Sequence, residues 1–384
     1  MHLFWTTLLG LAALLWVIEA IVLARGVPLI PSLTDAEPAA DADCPPISIL
    51  FAGRNEAEKM PGALQTMLAL DYPHYEVIAV DDRSEDATAA ILTSAARNDA
   101  RLRLLRVDTL PPGWLGKPHA LEQAYKKSSG EWIVFTDADV HFAPDVLRRA
   151  ITLANGRNWA HLTLLSGAKM FTIGEKMLMT FFGMAFMIGT RPWEASNPQS
   201  RGYSGVGAFQ MIRRNAYETM GTHRRLAMEV VDDMKLGKLA KQAGVRSGVA
   251  RAGNSLSVHW HAGLANTVRG TTKNFFATTG YRLPVAIVQI ICVLWLCVFP
   301  FVAWPFVHGW ARLFAFAALG LPVLATAAVS LRLKAPAWYA LTFPFGALVF
   351  AWMLARSTIV TLWQRGVVWR GTFYSLEDLK RGVV

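Results

Sequence analysis

Charged residues are scarce in this chain of 384 residues, at 17%, while 53% are hydrophobic. An ordinary soluble domain carries roughly 25% charge, so a wholly water-soluble globule is disfavoured and part of the chain belongs in lipid. Cysteine is scarce too: Cys44, Cys292 and Cys297 form no C-x-x-C pair. That excludes a disulfide framework or a cysteine zinc site and fits a reducing compartment for the soluble part. No Gly-x-x-x-x-Gly-Lys-Ser/Thr loop occurs, and no Gly-x-Gly-x-x-Gly follows the first strand, which disfavours a P-loop nucleotidase and a Rossmann dehydrogenase. The net charge of +10 is scattered in pairs such as Arg148-Arg149, Arg213-Arg214 and Arg224-Arg225, without a long basic block. Anionic lipid or an anionic substrate explains such a charge more simply than nucleic acid, for which no motif is present.

Apolar runs are abundant. "LFWTTLLGLAALLWVIEAIVLA" (3–24) is long enough to span a bilayer, with a single acid, Glu19, near its end. A signal peptide is the rival reading, weakened by the absence of a basic residue before the run and by the run's length. Three more runs follow at 283–306, 313–331 and 338–355, the last extending to Trp363, with Trp and Tyr at their edges. The expected organisation is a transmembrane helix over 1–25, a linker over 26–46, a catalytic domain over 47–280, three transmembrane segments over 281–363 and a juxtamembrane tail over 364–384.

Between the spans the pattern alternates. Strand-like runs at 47–53, 75–82, 101–107 and 131–137 alternate with helical stretches at 57–70, 84–98 and 117–128. Such an alternation predicts an α/β domain with a mostly parallel sheet covered on both faces, in which ligands bind beyond the carboxyl ends of the strands. Three predicted strand ends carry polar groups there: Arg54-Asn55-Glu56, Asp81-Asp82 and Asp137-Ala138-Asp139.

A lone Asp-x-Asp is a weak signal, and the linker supplies a control in Asp41-Ala42-Asp43, which follows no strand. What distinguishes Asp137 and Asp139 is that they terminate a buried strand, with a helix expected directly behind them. They either cap that helix or hold a hard cation such as Mg²⁺ or Mn²⁺ shared with a diphosphate.

In order and spacing, "AGRNEAEKMPGAL", "VIAVDDRSEDAT", "LPPGWLGKPHAL", "WIVFTDADV" and "VVDDMKLGKLAK" resemble the family 2 glycosyltransferases. More narrowly, they resemble the membrane-bound branch that glycosylates lipids, including ceramide glucosyltransferase-like and carotenoid- or hopanoid-associated enzymes. The likeness covers about residues 45–280, the tail "VVWRGTFYS" and the pattern of spans. It implies a GT-A nucleotide-diphospho-sugar transferase fold, a divalent cation (Mg or Mn), a nucleotide-sugar donor and a lipid acceptor at the membrane. By the same likeness Asn55, Glu56 and Asp82 bind the nucleotide, Lys117 lies near the diphosphate, and Asp137 and Asp139 hold the metal. Asp233, with Asp232 beside it, aligns with the base that an inverting displacement needs. Helix capping is the plain alternative for both, and Asp-Asp stands here where many relatives have Glu-Asp.

Three further stretches bear on the site. The glycines of "RGYSGVGAFQMIRR" (201–214) suggest either a loop passing close to a ligand or a merely flexible one. In "SVHWHAG" (257–263), His259 and His261 would share a strand face, with His259 a candidate third metal ligand or an aromatic packing residue. The apolar, Met-rich segment 174–193 reads as an interfacial helix, an acceptor entrance or a buried core helix. The processive polysaccharide synthases that share the fold carry a Gln-x-x-Arg-Trp sequence missing here. Transfer of one sugar to a lipid is therefore expected, with a polymer synthase and an inactive scaffold or sensor as alternatives. Cytosolic nucleotide sugars place the catalytic segment in the cytosol, on a multi-pass protein of the cell membrane. Three later spans would then leave the basic tail outside, against the positive-inside tendency, whereas a re-entrant segment within 313–355 would return it.

Overall fold

The computed structural model describes residues 2–260, 262–332 and 336–384. The chain divides into two compact units. The sheet unit comprises Ile30–Lys169, Pro192–Trp260 and Arg370–Val384; the apolar unit comprises Met1–Leu29, Met170–Arg191 and His261–Trp369.

The sheet unit is built on eight strands: β1 (Ile47–Gly53), β2 (Tyr75–Asp82), β3 (Leu102–Val107), β4 (Trp132–Phe135), β5 (His141–Phe142), β6 (His161–Ala168), β7 (Gln210–Arg213) and β8 (Ser247–Val258). Their order is β3-β2-β1-β4-β7-β6-β8-β5. Strands β3, β2, β1 and β4 are mutually parallel, β6 is parallel to β8, and β7 and β5 join antiparallel. Central strands of a covered sheet are apolar on both faces, and every residue of β1 is buried. Strand alternation sends successive side chains to opposite layers. Ile47, Ile49, Phe51, Val77, Ala79, Trp132 and Val134 enter one core, and Leu50, Ala52, Ile78, Val80, Ile133 and Phe135 enter the other. The edge strand β3 exposes Arg103 and Arg106, charges that discourage pairing with a further strand.

Three expectations are corrected. Regular pairing of β4 stops at Phe135, short of 137. No helix starts directly behind Asp139: the chain first forms β5, whose partner is β8, and the next helix is Val146–Gly156. Residues 31–46 do not dangle as a spacer. Leu33 and Cys44 are buried, the Arg251 amide donates to the Pro31 carbonyl at 2.9 Å, and Arg148 reaches Asp41 at 2.7 Å.

In the apolar unit, the helical segments His2–Leu29, Gly309–Leu331 and Ala337–Gln364 are long and apolar enough to cross a membrane, and Leu283–Cys297 followed by Phe299–Phe306 qualifies only as one segment bent by 44°. Leu9 packs with Ala303, Val307, Ala311 and Ala315, small residues of the kind that let apolar helices approach closely. The segment read at 174–193 is the helix Ile173–Thr190, capped by Thr172, with the Phe181 ring packed at a tilt against Phe343 and Phe350. It belongs to this unit, as do residues 262–280.

Candidate active site

The polar groups of the sheet unit gather beyond the carboxyl ends of β1, β2 and β4. Behind β1, Asn55 takes a left-handed conformation (φ 57°), and its side-chain oxygen accepts the Glu85 amide at 2.8 Å. Glu56 receives the Arg370 guanidinium at 2.6 Å. At the end of β2, Asp82 is 5% exposed and is held by Arg83 through two contacts of 2.8 and 3.2 Å. Gly116 opens the next helix, Gly116–Lys127, and a β-carbon there would lie 2.3 Å from Asp82 Oδ2. The carboxylate and the helix start can approach so closely because position 116 has no side chain.

One residue inside that helix start, Lys117 donates to Asp137 Oδ1 at 2.6 Å and stands 3.9 Å from Asp232 Oδ2. Burial alone would lower its pKa; Asp137, Asp232 and Asp233 outweigh that and raise it, keeping the ammonium charged. One cation thus joins the acids behind β4 to the acids opening the helix Asp232–Gln242. In that helix the cap residue is Val231, which has no side-chain acceptor, and Asp233 Oδ1 accepts the Met234 amide at 2.8 Å. Neither acid is therefore the N-cap residue itself, yet Asp233 satisfies one of the helix's first-turn amides, and both profit from the positive end of the helix. Asp139 is not a cap either. Its carboxyl is pushed up to about 6 by burial and by Asp137 and Glu56, against the opposing Lys59, whose Nζ is 3.9 Å away.

The glycines of 201–214 have a definite use. A β-carbon on Gly207 would lie 2.4 Å from Asp137 Oδ2, and one on Gly205 would lie 2.0 Å from the Asp233 carbonyl oxygen. The loop packs directly onto both acid pairs, so it is neither a ligand-contacting loop alone nor a slack one. Beneath it lies a polar chain that the sequence does not announce. Gln210 donates to the Asp233 carbonyl at 3.0 Å, its side-chain oxygen is 3.1 Å from His161 Nε2, and His161 Nδ1 is 3.2 Å from Ser247 Oγ. His223 lines the same cleft as Lys117, Asp232 and Asp233 and lies 2.6 Å from the Tyr217 hydroxyl. His161, Gln210 and Ser247 each open a strand that the sequence pattern does not mark, so no sequence signal singles them out.

The donor set at β4 suits a hard cation. Two carboxylates follow that strand, and the pKa of Asp139 is raised by burial and then by the charges of Asp137 and Glu56, while Mg²⁺ and Mn²⁺ take one or two protein carboxylates and complete their shell with phosphate and water. His259 follows β8 and is not gathered with these acids into a metal-binding group; among the described residues no three of His, Cys, Asp and Glu are so gathered. His261 lies outside the described residues.

Comparison with known proteins agrees with this layout. Residues 48–220 match the sequence profile of glycosyl transferase family 2. This segment is a family 2 glycosyltransferase domain. A beta-monoglucosyldiacylglycerol synthase of Trichormus variabilis is 36% identical over 111 residues, covering 28% of this chain and 23% of the relative. A poly-beta-1,6-N-acetyl-D-glucosamine synthase of Staphylococcus epidermidis is 36% identical over 94 residues, covering 24% and 21%. The matches thus span less than a quarter of the length of these relatives. Among solved structures, the mannosyltransferase PcManGT of Pyrobaculum calidifontis, determined with GDP-Man and Mn²⁺, superposes with a TM-score of 0.55 at 19% identity, covering 93% of this chain and 99% of that one. The fold is therefore GT-A, as expected.

Two predictions follow from the packing of the site. A methyl group at Gly207 must push Asp137 aside, and a misplacement near 1 Å costs roughly a hundredfold in rate. Gly207→Ala should therefore lower the turnover of a reaction run at this site by about that factor, with a melting temperature within a few degrees of the parent. The second concerns acid. His161 is lowered to about 4 by burial, and His223 to about 3 by burial and then Lys117. The unfolded chain protonates both near 6.5, so below that pH it binds more protons than the folded one. Stability must fall with pH, by about 1.4 kcal/mol per unit for each histidine. The melting temperature should decline from pH 6.5 to 5, and His161→Gln should roughly halve the slope.

Proposed function

We propose that this protein is an inverting glycosyltransferase that moves a sugar from a nucleoside-diphosphate donor, most simply a UDP-sugar, to the hydroxyl of a membrane lipid. The observation that carries the reading is Lys117, which joins Asp137 on the donor side to Asp232 on the acceptor side. In this reading Asn55, Glu56 and Asp82 receive the nucleotide, while Asp139 and Asp137 hold a divalent cation. That cation, when bound, neutralises charge on the departing diphosphate. Lys117 adds a fixed positive charge beside the leaving group. Asp233 takes the acceptor's proton as the hydroxyl oxygen bonds to the anomeric carbon and the bond from that carbon to the diphosphate oxygen breaks. Its Oδ1 is already engaged by the Met234 amide, which leaves Oδ2 for the proton. Asp232, 6% exposed and beside Lys117, fixes the lysine rather than the acceptor.

Sidedness follows from chain order. Residues Arg370–Val384 belong to the sheet unit, where Arg370 reaches Glu56 and Lys235 donates to the Val384 carbonyl at 2.6 Å. A chain that leaves this unit after Trp260 and rejoins it at Arg370 crosses the bilayer an even number of times. Leu283–Cys297 has 15 residues, about 22 Å of helix against a hydrocarbon core of about 30 Å. This bent segment is the re-entrant one, and Gly309–Leu331 and Ala337–Gln364 cross. The tail then faces the cytosol with the catalytic unit, and its basic residues satisfy the positive-inside tendency.

Membranes containing the protein, given radiolabelled UDP-glucose, UDP-galactose, UDP-N-acetylglucosamine and GDP-mannose with host lipid, should pass label from one donor into the organic phase. EDTA, Asp139→Asn and Asp233→Asn should each abolish the transfer. Label in a large aqueous polymer would favour a polysaccharide synthase, the reading that the staphylococcal relative supports. For sidedness, a cysteine replacing the exposed Glu377 should react with an impermeant thiol reagent only after the cells are opened. Labelling of intact cells would place the tail outside and overturn the even crossing number.

A further inference from the structure

The residues after 369 do more than close the chain. Arg370 and Gly371 both take left-handed conformations, with φ of 49° and 76°. For arginine that costs on the order of 1 kcal/mol, and the turn swings its side chain onto the sheet unit. The Arg370 guanidinium donates to Glu56 at 2.6 Å and to the Arg54 carbonyl at 3.1 Å. The short strand Thr372–Ser375 follows. Thr372 Oγ1 accepts from Arg54 at 3.4 Å, and the Tyr374 hydroxyl is an electrostatic partner of Arg83. Arg83 in turn is the residue that grips Asp82. Residues 370, 372 and 374 thus address Glu56, Arg54 and Arg83 in succession, Arg370 from the turn and Thr372 and Tyr374 from one face of the strand that follows.

That face lies across the ends of β1 and β2, where the nucleotide is placed. Both acids assigned to the nucleotide are addressed from it, Glu56 directly and Asp82 through Arg83. Glu56 is also an electrostatic neighbour of Asp139, so the contact reaches the cation site. A tail that served only to anchor the chain would have no need to meet these two carboxylates. Its anchoring is done elsewhere, by buried Leu379 and by the contacts of Val384 with Lys235 and Lys238.

We propose that residues 370–374 form a wall of the donor site, in which Arg370 positions Glu56, and Tyr374 positions Asp82 through Arg83, for a nucleoside-diphosphate sugar. The inference rests on the donor site proposed above. It predicts a split in kinetics: losing either contact should weaken use of the donor and leave the acceptor untouched.

The test uses the full chain in lipid or detergent with whichever of the four nucleotide sugars gives transfer. Arg370→Gln should raise the donor KM roughly ten- to a hundredfold, the range seen when outer-shell partners of a bound group are removed. The acceptor KM should stay within about twofold, and Arg370→Lys should recover part of the loss. Tyr374→Phe, which removes one hydroxyl, should raise the donor KM in the same direction and carries the test alone if Arg370→Gln does not fold. Asp139→Asn runs in parallel. If it abolishes transfer while donor KM is unmoved in both Arg370→Gln and Tyr374→Phe, the wall is refuted and the donor site stands. Donor and acceptor KM rising together would assign the tail a structural role only. Transfer from none of the four sugars, or full activity in Asp139→Asn, would remove the donor site and the wall with it.

Discussion

Negative charge collected at one edge of a sheet is the constraint on which the rest of this structure turns. Glu56, Asp82, Asp137, Asp139, Asp232 and Asp233 stand at the ends of three strands and one helix, and like charges in a half-buried cleft repel strongly. Lys117 answers two of them, Arg83 and Arg370 answer one each, and Lys59 reaches a fifth less closely. The raised pKa of Asp139 reflects its burial first and the charges of Asp137 and Glu56 second. A site assembled in this way is preorganised for a ligand that brings positive charge with it.

Close approach is the second requirement, and it falls to residues without side chains. Gly116 lets a helix start abut Asp82, Gly207 lets a loop abut Asp137, and Gly237 lets the Asp232–Gln242 helix abut the Ser204 carbonyl, which a β-carbon would meet at 2.1 Å. Beneath them, buried Gln210 and His161 satisfy each other and hold the Asp233 backbone. Buried polar groups are tolerated when they are bonded in this manner.

The parallel half of the sheet was legible because its strands are continuous apolar runs; β1 and β2 fall on the expected residues 47–53 and 75–82. The second half was not. β7 has four residues, and β8, "SGVARAGNSLSV", mixes small and polar residues too evenly to show a period. The paired acids could be read because they end a buried strand. Gln210 and His161 could not, since a polar residue that is buried and satisfied looks in sequence like one on the surface. Arg370 was out of reach for another reason: its partner Glu56 lies 314 positions away, and no local pattern encodes such a contact.

That distance has a consequence for biogenesis. A ribosome delivers β1 early and the 370–384 segment only after the apolar helices between them have been made. With Leu379 fully buried in the sheet unit, the catalytic unit is left with an open flank throughout synthesis. Completion of the sheet unit is thereby coupled to synthesis of the whole apolar unit that precedes its last segment. A chain stalled in the apolar helices would leave that flank of the sheet uncovered.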